Sequence, residues 1–255
     1  MNIDLSGQLA LVTGSNAGIG RGIALKLAAC GAKVVINYLK NREQGEETAS
    51  LIRQAGGQAV VLQADVADLR QIDALVLGAE RAFGQKIDIL VNNAGHLIKR
   101  MGNLELDEDH YNKVVDVNFK SVVFMCKAVA PGMVEKGRGK IVNVTSIAAH
   151  NGGGPGATLY AAAKAAVMTY TKGLAKELAG KGIYVNAVSP GFIGQTAFHD
   201  TFTPPAAREA TVKGIPLGRE GTPEDVANAV LFLVSPMSDY LTGETIEING
   251  GMFMR

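Results

Sequence analysis

Tyr160 and Lys164, in the run Tyr160-Ala161-Ala162-Ala163-Lys164, are the pair in this sequence best suited to moving a proton. In a helix, residues four apart lie on one face, so both side chains point the same way. The alanines between them keep that face uncluttered. An ammonium beside a phenol stabilises the phenolate and lowers the tyrosine pKa. Bringing a tyrosine from about 10 toward neutrality needs about 3 units, roughly 4 kcal/mol. With that help Tyr160 is expected to act as general acid in carbonyl reduction and as general base in the reverse reaction. Ser146, at the end of the apolar run Lys140–Thr145, is expected to hydrogen-bond the carbonyl oxygen. Taken alone, a tyrosine and a lysine at this spacing are common on helix surfaces. Here a glycine-rich loop, Asn151–Gly156, precedes them and follows the serine.

A second constellation lies near the start of the chain. The first apolar run leads into Thr13-Gly14-Ser15-Asn16-Ala17-Gly18-Ile19-Gly20, and a helix-like segment follows. Gly14, Gly18 and Gly20 permit a tight turn, so that backbone N–H groups and the positive end of a helix can approach a pyrophosphate. Ser15, Asn16 and Ile19 complete this loop. The spacing is GxxxGxG rather than GxGxxG, and its position between the first strand and first helix makes it informative. A dinucleotide is therefore expected, and its cationic nicotinamide ring would help lower the Tyr160 pKa. The second apolar run ends Asn37-Tyr38-Leu39-Lys40-Asn41-Arg42. An acid at such a tip commonly holds the 2′-hydroxyl of NAD. None is present. Asn37 tolerates a 2′-phosphate, and Lys40 and Arg42 attract one. NADP(H) is favoured, with NAD(H) the alternative.

These residues need a scaffold, and the rest of the chain supplies its pattern. Near-continuous apolar runs at Leu9–Thr13, Lys33–Asn37, Ala59–Gln63, Ile87–Val91, Lys140–Thr145, Tyr184–Ser189 and Thr245–Asn249 read as strands covered on both faces. Helical patterns near 18–30, 42–55, 68–83, 108–136, 159–180 and 223–235 alternate with them. Asp68, Asp107 and Thr222-Pro223 are expected N-caps, and Gly31, Gly56 and Gly180 expected helix ends. The sum is one α/β domain over 1–255, a doubly wound, mainly parallel Rossmann sheet. The stretch 192–222 breaks the rhythm and is expected to form a substrate lid.

Composition narrows the function further. With 255 residues, 25 Lys+Arg, 24 Asp+Glu and a formal net charge of +1, the chain lacks the basic field of a nucleic-acid or membrane-surface protein. No run approaches the ~18 apolar residues of a membrane helix, and Met1–Gly7 lacks a signal-peptide n-region. Cys30 and Cys126 fall in apolar helical patterns and form no redox or metal motif. There is no GxSxG elbow and no HExxH, and only 4 histidines are present, so neither a hydrolase nor a metal site is expected. A cytoplasmic enzyme acting on a small molecule remains. The alternative of another class is a cofactor-binding regulator that has lost its chemistry.

The ordered set Thr13–Gly20, Asp65-Val66, Asn92-Asn93-Ala94-Gly95, Asn118, Ser146, Tyr160/Lys164 and Pro190-Gly191 resembles the short-chain dehydrogenase/reductase family over essentially the full length. The resemblance implies strand order 3-2-1-4-5-6-7 and a homotetramer built partly from the helices at 108–136 and 159–180. It places Asp65 and Val66 at the adenine, and Asn92, Ala94 and Gly95 beside the adenine ribose. Asn118 would hold a water that links Lys164 to bulk. Pro190, Gly191 and the Ile193 backbone would meet the carboxamide end, with Thr196 displaced by one residue from the family's usual threonine, where Gln195 stands. A silent regulator should lack one of Asn118, Ser146, Tyr160 and Lys164, and all are present. Asn249–Met252 and Ile215–Leu217 resemble 3-oxoacyl-acyl-carrier-protein reductases. The Gly152–Gly156 loop and the segment Phe198–Phe202 with Arg208 resemble sugar and uronate reductases, such as those acting on 4-deoxy-5-hexoseulose uronate. On that likeness a small polar keto-sugar or keto-uronate is the expected substrate, with His150, Phe198, His199 and Arg208 around it. The acyl thioester is the alternative.

Overall fold

Runs of Val, Ile and Leu form the centre of the sheet because both of their faces are covered. In the computed structural model, which describes residues 3–196 and 201–254, the strands are β1 (Leu9–Val12), β2 (Lys33–Tyr38), β3 (Gln58–Gln63), β4 (Ile89–Asn92), β5 (Gly139–Val144), β6 (Ile183–Pro190) and β7 (Thr245–Ile248). All pair in parallel in the order 3-2-1-4-5-6-7, as expected. Successive side chains of a strand enter opposite cores. Ala10 and Val12 pack with Ile23, Leu27, Val226 and Val230 on one face. Leu9 and Leu11 pack with Leu75, Val129 and Val167 on the other.

The helices follow the pattern of caps. They are α1 (Gly18–Ala29), α2 (Arg42–Gln54), α3 (Leu69–Phe83), α4 (Glu108–Val115), α5 (Ser121–Lys136), α6 (Ala148–Asn151), α7 (Thr158–Leu178), α8 (Pro205–Lys213) and α9 (Pro223–Val234). Asp68 and Asp107 accept from the amides of Arg70 and His110. Thr222 and Asp225 form a reciprocal capping box behind Pro223. Two details depart from expectation. The chain leaves α7 through a short 3-10 turn, and the left-handed residue is Gly182 rather than Gly180. The segment 108–136 is not one uniform helix, because a π turn, Asp116–Lys120, separates α4 from α5. Glu108–Lys136 is long and apolar enough to cross a membrane by length and composition, yet α5 packs its Val122, Met125, Val129 and Met133 into the core.

β1 pairs with both β2 and β4, so the strand order reverses there. In open α/β sheets the crevice at such a reversal, outside the carboxyl ends of the strands, is where ligands bind. The glycine loop and Ser146 leave the sheet at that edge, while Tyr160 and Lys164 reach it from α7 and Asn118 lies in the π turn between α4 and α5.

Candidate active site

The end of β1 is tied down before it turns. Thr13 Oγ1 accepts from the amides of Asn93 and Ala94, each at 3.0 Å, joining the tips of β1 and β4. Asn93 Nδ2 donates to the carbonyls of Thr13 (2.8 Å) and Gly14 (3.1 Å). Asn37 Oδ1 accepts from the Gly14 amide at 3.1 Å, and its Nδ2 donates to the carbonyl of Ala64 at 3.1 Å. The turn that follows is too tight for a side chain at Gly20. A Cβ there would stand 2.4 Å from the Gly14 oxygen and 2.6 Å from Asn93 Nδ2.

Above this loop opens a cleft of about 930 Å³. Gly14, Asn16, Gly18, Ile19 and Gly20 line it at one end, with Asn37, Lys40, Asp65, Val66, Ala94 and Gly95. Ser146, Tyr160, Lys164, Pro190, Gly191, Ile193 and Thr196 line it further along. An elongated dinucleotide fits these residues. The backbone of the loop is bare, a base stands at the tip of β2, and no acid occupies the position of Asn37. Thr196 lies in the cleft against Gly18, and Gln195 before it has a left-handed backbone (φ 57°).

Several expected cofactor residues stand elsewhere. Ser15 is buried under the loop, with its hydroxyl donating to the Val12 carbonyl. Tyr38 is buried, its ring beside Gly45 of α2. Arg42 is outside the cleft and faces Glu46 at 3.9 Å. Asn92 points away from the cleft, donating to Asn143 Oδ1 (2.9 Å) and toward Cys126 Sγ (3.3 Å), because neighbours on a strand alternate sides. Its neighbour Asn93 takes the place facing the loop. That residue was in view in the sequence motif, but only the strand's phase shows which asparagine faces the cleft.

Tyr160 and Lys164 sit in the first two turns of α7, with the Lys164 ammonium 5.8 Å from the centre of the Tyr160 ring. Lys164 Nζ donates to the Val144 carbonyl at 2.9 Å. The side chains of Ser146 and Tyr160 are hydrogen-bonded. Ser146 Oγ also accepts from the Ala148 amide at 3.1 Å, which orients it. Burial works against the expected lowering of the Tyr160 pKa. Burial pushes the phenol up to about 12, against a smaller lowering by the Ser146 hydrogen bond. Burial brings Lys164 down to about 8. The phenol is therefore protonated near neutral pH, the state a proton donor requires.

Asn118 lies below the cleft lining rather than in it, fully buried in the π turn. Its Nδ2 donates to the carbonyls of His96 (2.7 Å) and Val114 (2.8 Å), and its Oδ1 accepts from the His96 amide (3.1 Å). Asn118 and Lys164 meet around Gly95, where a Cβ would stand 2.9 Å from both Asn118 Oδ1 and Lys164 Nζ. His96 lines the cleft, and its ring meets Phe202 edge-on.

The two expected substrate residues that the structure describes, His150 and Arg208, do not line the cleft. His150 is turned under α6, with Nε2 2.8 Å from Glu247 Oε1 and its ring stacked on Phe253. Arg208 is held by the carboxylate of Glu220 through two hydrogen bonds, at 2.5 and 2.7 Å, so its charge is spent within the segment 192–222. Phe198 and His199, with Asp200, lie outside the described residues. Among the described residues no cluster of metal-ligating side chains is present.

A family model described as enoyl-(acyl carrier protein) reductase matches residues 14–253. A 3-oxoacyl-[acyl-carrier-protein] reductase of Synechocystis sp. is 41% identical over 251 residues, 98% of each chain. One from Staphylococcus aureus is 41% identical over 252 residues, 96% of this chain and 98% of the relative. Among solved structures, a Sinorhizobium meliloti chain assigned as a short-chain alcohol dehydrogenase superposes with a TM-score of 0.92 at 34% identity, covering 99% of this chain and 98% of that one. An Agrobacterium tumefaciens chain assigned as a 2-deoxy-D-gluconate 3-dehydrogenase, with bound NADP, superposes with a TM-score of 0.88 at 39% identity, covering 100% and 99%.

Proposed function

The chain belongs to the short-chain dehydrogenase/reductase family of oxidoreductases, and from that premise we propose that it is an NADP(H)-dependent reductase of a 3-oxoacyl thioester. The observation that carries the reductase reading is one cleft holding Ser146, Tyr160 and Lys164 at one end and the bare glycine loop at the other. The thioester follows from the 41%-identical relatives, which cover nearly the whole chain. The preference for NADP(H) rests on Lys40 at the cleft, on the absence of an acid at Asn37, and on the NADP in the 2-deoxy-D-gluconate 3-dehydrogenase structure.

When bound, the dihydronicotinamide would supply a hydride to the carbonyl carbon. The glycine loop and Lys40 would hold its phosphates, and Ile193 and Thr196 its carboxamide end. Ser146 donates a hydrogen bond to the carbonyl oxygen and fixes the face presented. Tyr160 gives its proton to that oxygen as negative charge builds there. The Lys164 ammonium, held by the Val144 carbonyl, stabilises the phenolate left behind. Asn118 fixes the loop at His96 that borders Lys164, and a water beside it would return the proton. This is a positioning role.

A keto acid of the sugar-acid type is a second reading, favoured by the gluconate dehydrogenase neighbour. The keto-uronate expectation loses its support, because Arg208 and His150 face Glu220 and Glu247. A cytoplasmic homotetramer belongs to the same proposal. Tyr111 on α4 and Val134 on α5 are exposed apolar side chains, consistent with a partner subunit covering this helix face. The substrate test is NADPH oxidation with acetoacetyl thioester against keto-sugar acids. Turnover of the thioester at kcat/KM of roughly 10⁴ M⁻¹s⁻¹ or more supports the reading. Turnover of the sugar acids alone contradicts it.

A further inference from the structure

We propose that Arg100 is the anion anchor of the substrate end of the cleft, binding a carboxylate or phosphate carried by the substrate; this rests on the reductase reading above. Arg100 lines the cleft and is exposed to it. Among the described residues its hydrogen-bond partners are two carbonyls, and it forms none of the ion pairs. The other bases at the cleft are committed. Lys113 pairs with Asp109 at 2.6 Å, Lys164 is buried against Val144, and Lys40 stands at the tip of β2.

The guanidinium is fixed without being neutralised. Nη1 donates to the Pro155 carbonyl at 2.8 Å and Nε to the Phe202 carbonyl at 3.2 Å. Two of its five N–H donors are thus used on neutral acceptors, and the remaining fork and the full charge are available. These bonds join the loop before α7 to the start of the lid segment, so the cation stands between the two segments that enclose the substrate end.

The backbone is strained to put it there. Ile98 has φ 66°, a left-handed conformation that a β-branched residue rarely adopts. The Lys99 amide bonds back to the Leu97 carbonyl at 2.9 Å across Ile98, closing a γ-turn, and the Ile98 amide donates to His96 Nδ1 at 2.8 Å. The Met101 amide then docks on the Gly156 carbonyl at 3.0 Å. At Gly156 (φ 72°) a Cβ would stand 2.9 Å from Arg100 Cβ, so the approach requires glycine. Strain of this kind clusters at ligand clamps.

The test uses protein loaded with NADPH and two ligand pairs, each differing by one anion. These are 3-oxobutanoate against its ethyl ester, and the 3-oxobutanoyl thioester of 4′-phosphopantetheine against that of pantetheine. In the wild type, the anionic member of one pair should have a KM roughly 10- to 100-fold below its neutral partner at similar kcat. Arg100→Met should erase that difference and leave the neutral member unchanged. A preference in the phosphate pair identifies a phosphopantetheine arm, and one in the carboxylate pair a free acid. Equal KM values within both pairs overturn the proposal. So does a preference that survives Arg100→Met, or a loss that falls equally on neutral and anionic members. If no ligand turns over, the reductase reading fails. The anchor is then decided by calorimetric titration of the same pairs into NADP-loaded Tyr160→Phe and Tyr160→Phe/Arg100→Met, where equal affinities within each pair overturn it.

Discussion

The two ends of the cleft are built differently. At the nucleotide end, Thr13, Asn37 and Asn93 are spent on the backbone of neighbouring strands, and the glycine loop is packed too closely for a methyl group. At the substrate end, α8 buries none of its residues, and Arg208 on it is paired with Glu220 before α9. The first end presents fixed N–H groups to a ligand of invariant shape. The second is held by a few polar contacts that can open without disturbing either core. Preorganisation belongs where the ligand is always the same, and weak attachment belongs where substrate must enter and product leave.

That contrast can be broken from either side. Gly20→Ala should be the most damaging change. Its methyl group would collide with the Gly14 carbonyl and Asn93, and NADPH affinity measured by fluorescence titration should fall roughly 100-fold, with a lower Tm. A fall in Tm with unchanged affinity would separate the loop from the cofactor. The next effect is on pH. In the proposed mechanism reduction needs the Lys164 ammonium, whose pKa burial brings to about 8. Because the active form is the protonated one, the rate at saturating NADPH should decline as pH rises through about 8, by roughly tenfold per unit above it. A rate that climbs across this range contradicts the role given to Lys164. Lys40→Ala should raise the Kd for NADPH roughly fivefold and leave NADH unchanged, since it removes one partly solvated phosphate contact. Equal effects on both cofactors would remove Lys40 from the 2′-phosphate. The smallest effect belongs to the segment 192–222. Arg208→Ala should raise KM about two- to threefold and speed proteolysis within 201–213, with Tm almost unchanged. A large loss of Tm would show the segment to be part of the core.

The nucleotide end was largely legible in the sequence because its constraints are local. A loop that must admit a pyrophosphate needs glycines at fixed places, and strands buried on both faces need apolar runs, so the parallel sheet and the cleft position follow, whereas the strand order came with the family resemblance. The misreadings have physical causes. Asn92 and Asn93 exchange roles because side-chain phase along a strand reverses with each residue. Arg208 and His150 look free in a sequence, but Glu220 and Glu247 reach them through folding. The Tyr160 pKa moves up because burial outweighs the hydrogen bond from Ser146. The strain at Ile98 leaves no compositional trace, and Arg100 was invisible without it.

The two ends meet at Tyr160, where the central claim is most directly tested. NADPH-loaded wild type and Tyr160→Phe are mixed with acetoacetyl thioester, and a single turnover is followed by nicotinamide absorbance. The phenyl ring preserves packing and removes the proton. The hydride-transfer rate should fall by about 10³-fold or more, with the Kd for NADPH unchanged within about twofold. A Tyr160→Phe protein that still oxidises NADPH within about tenfold of the wild-type rate would contradict the assignment of Tyr160 as the proton donor.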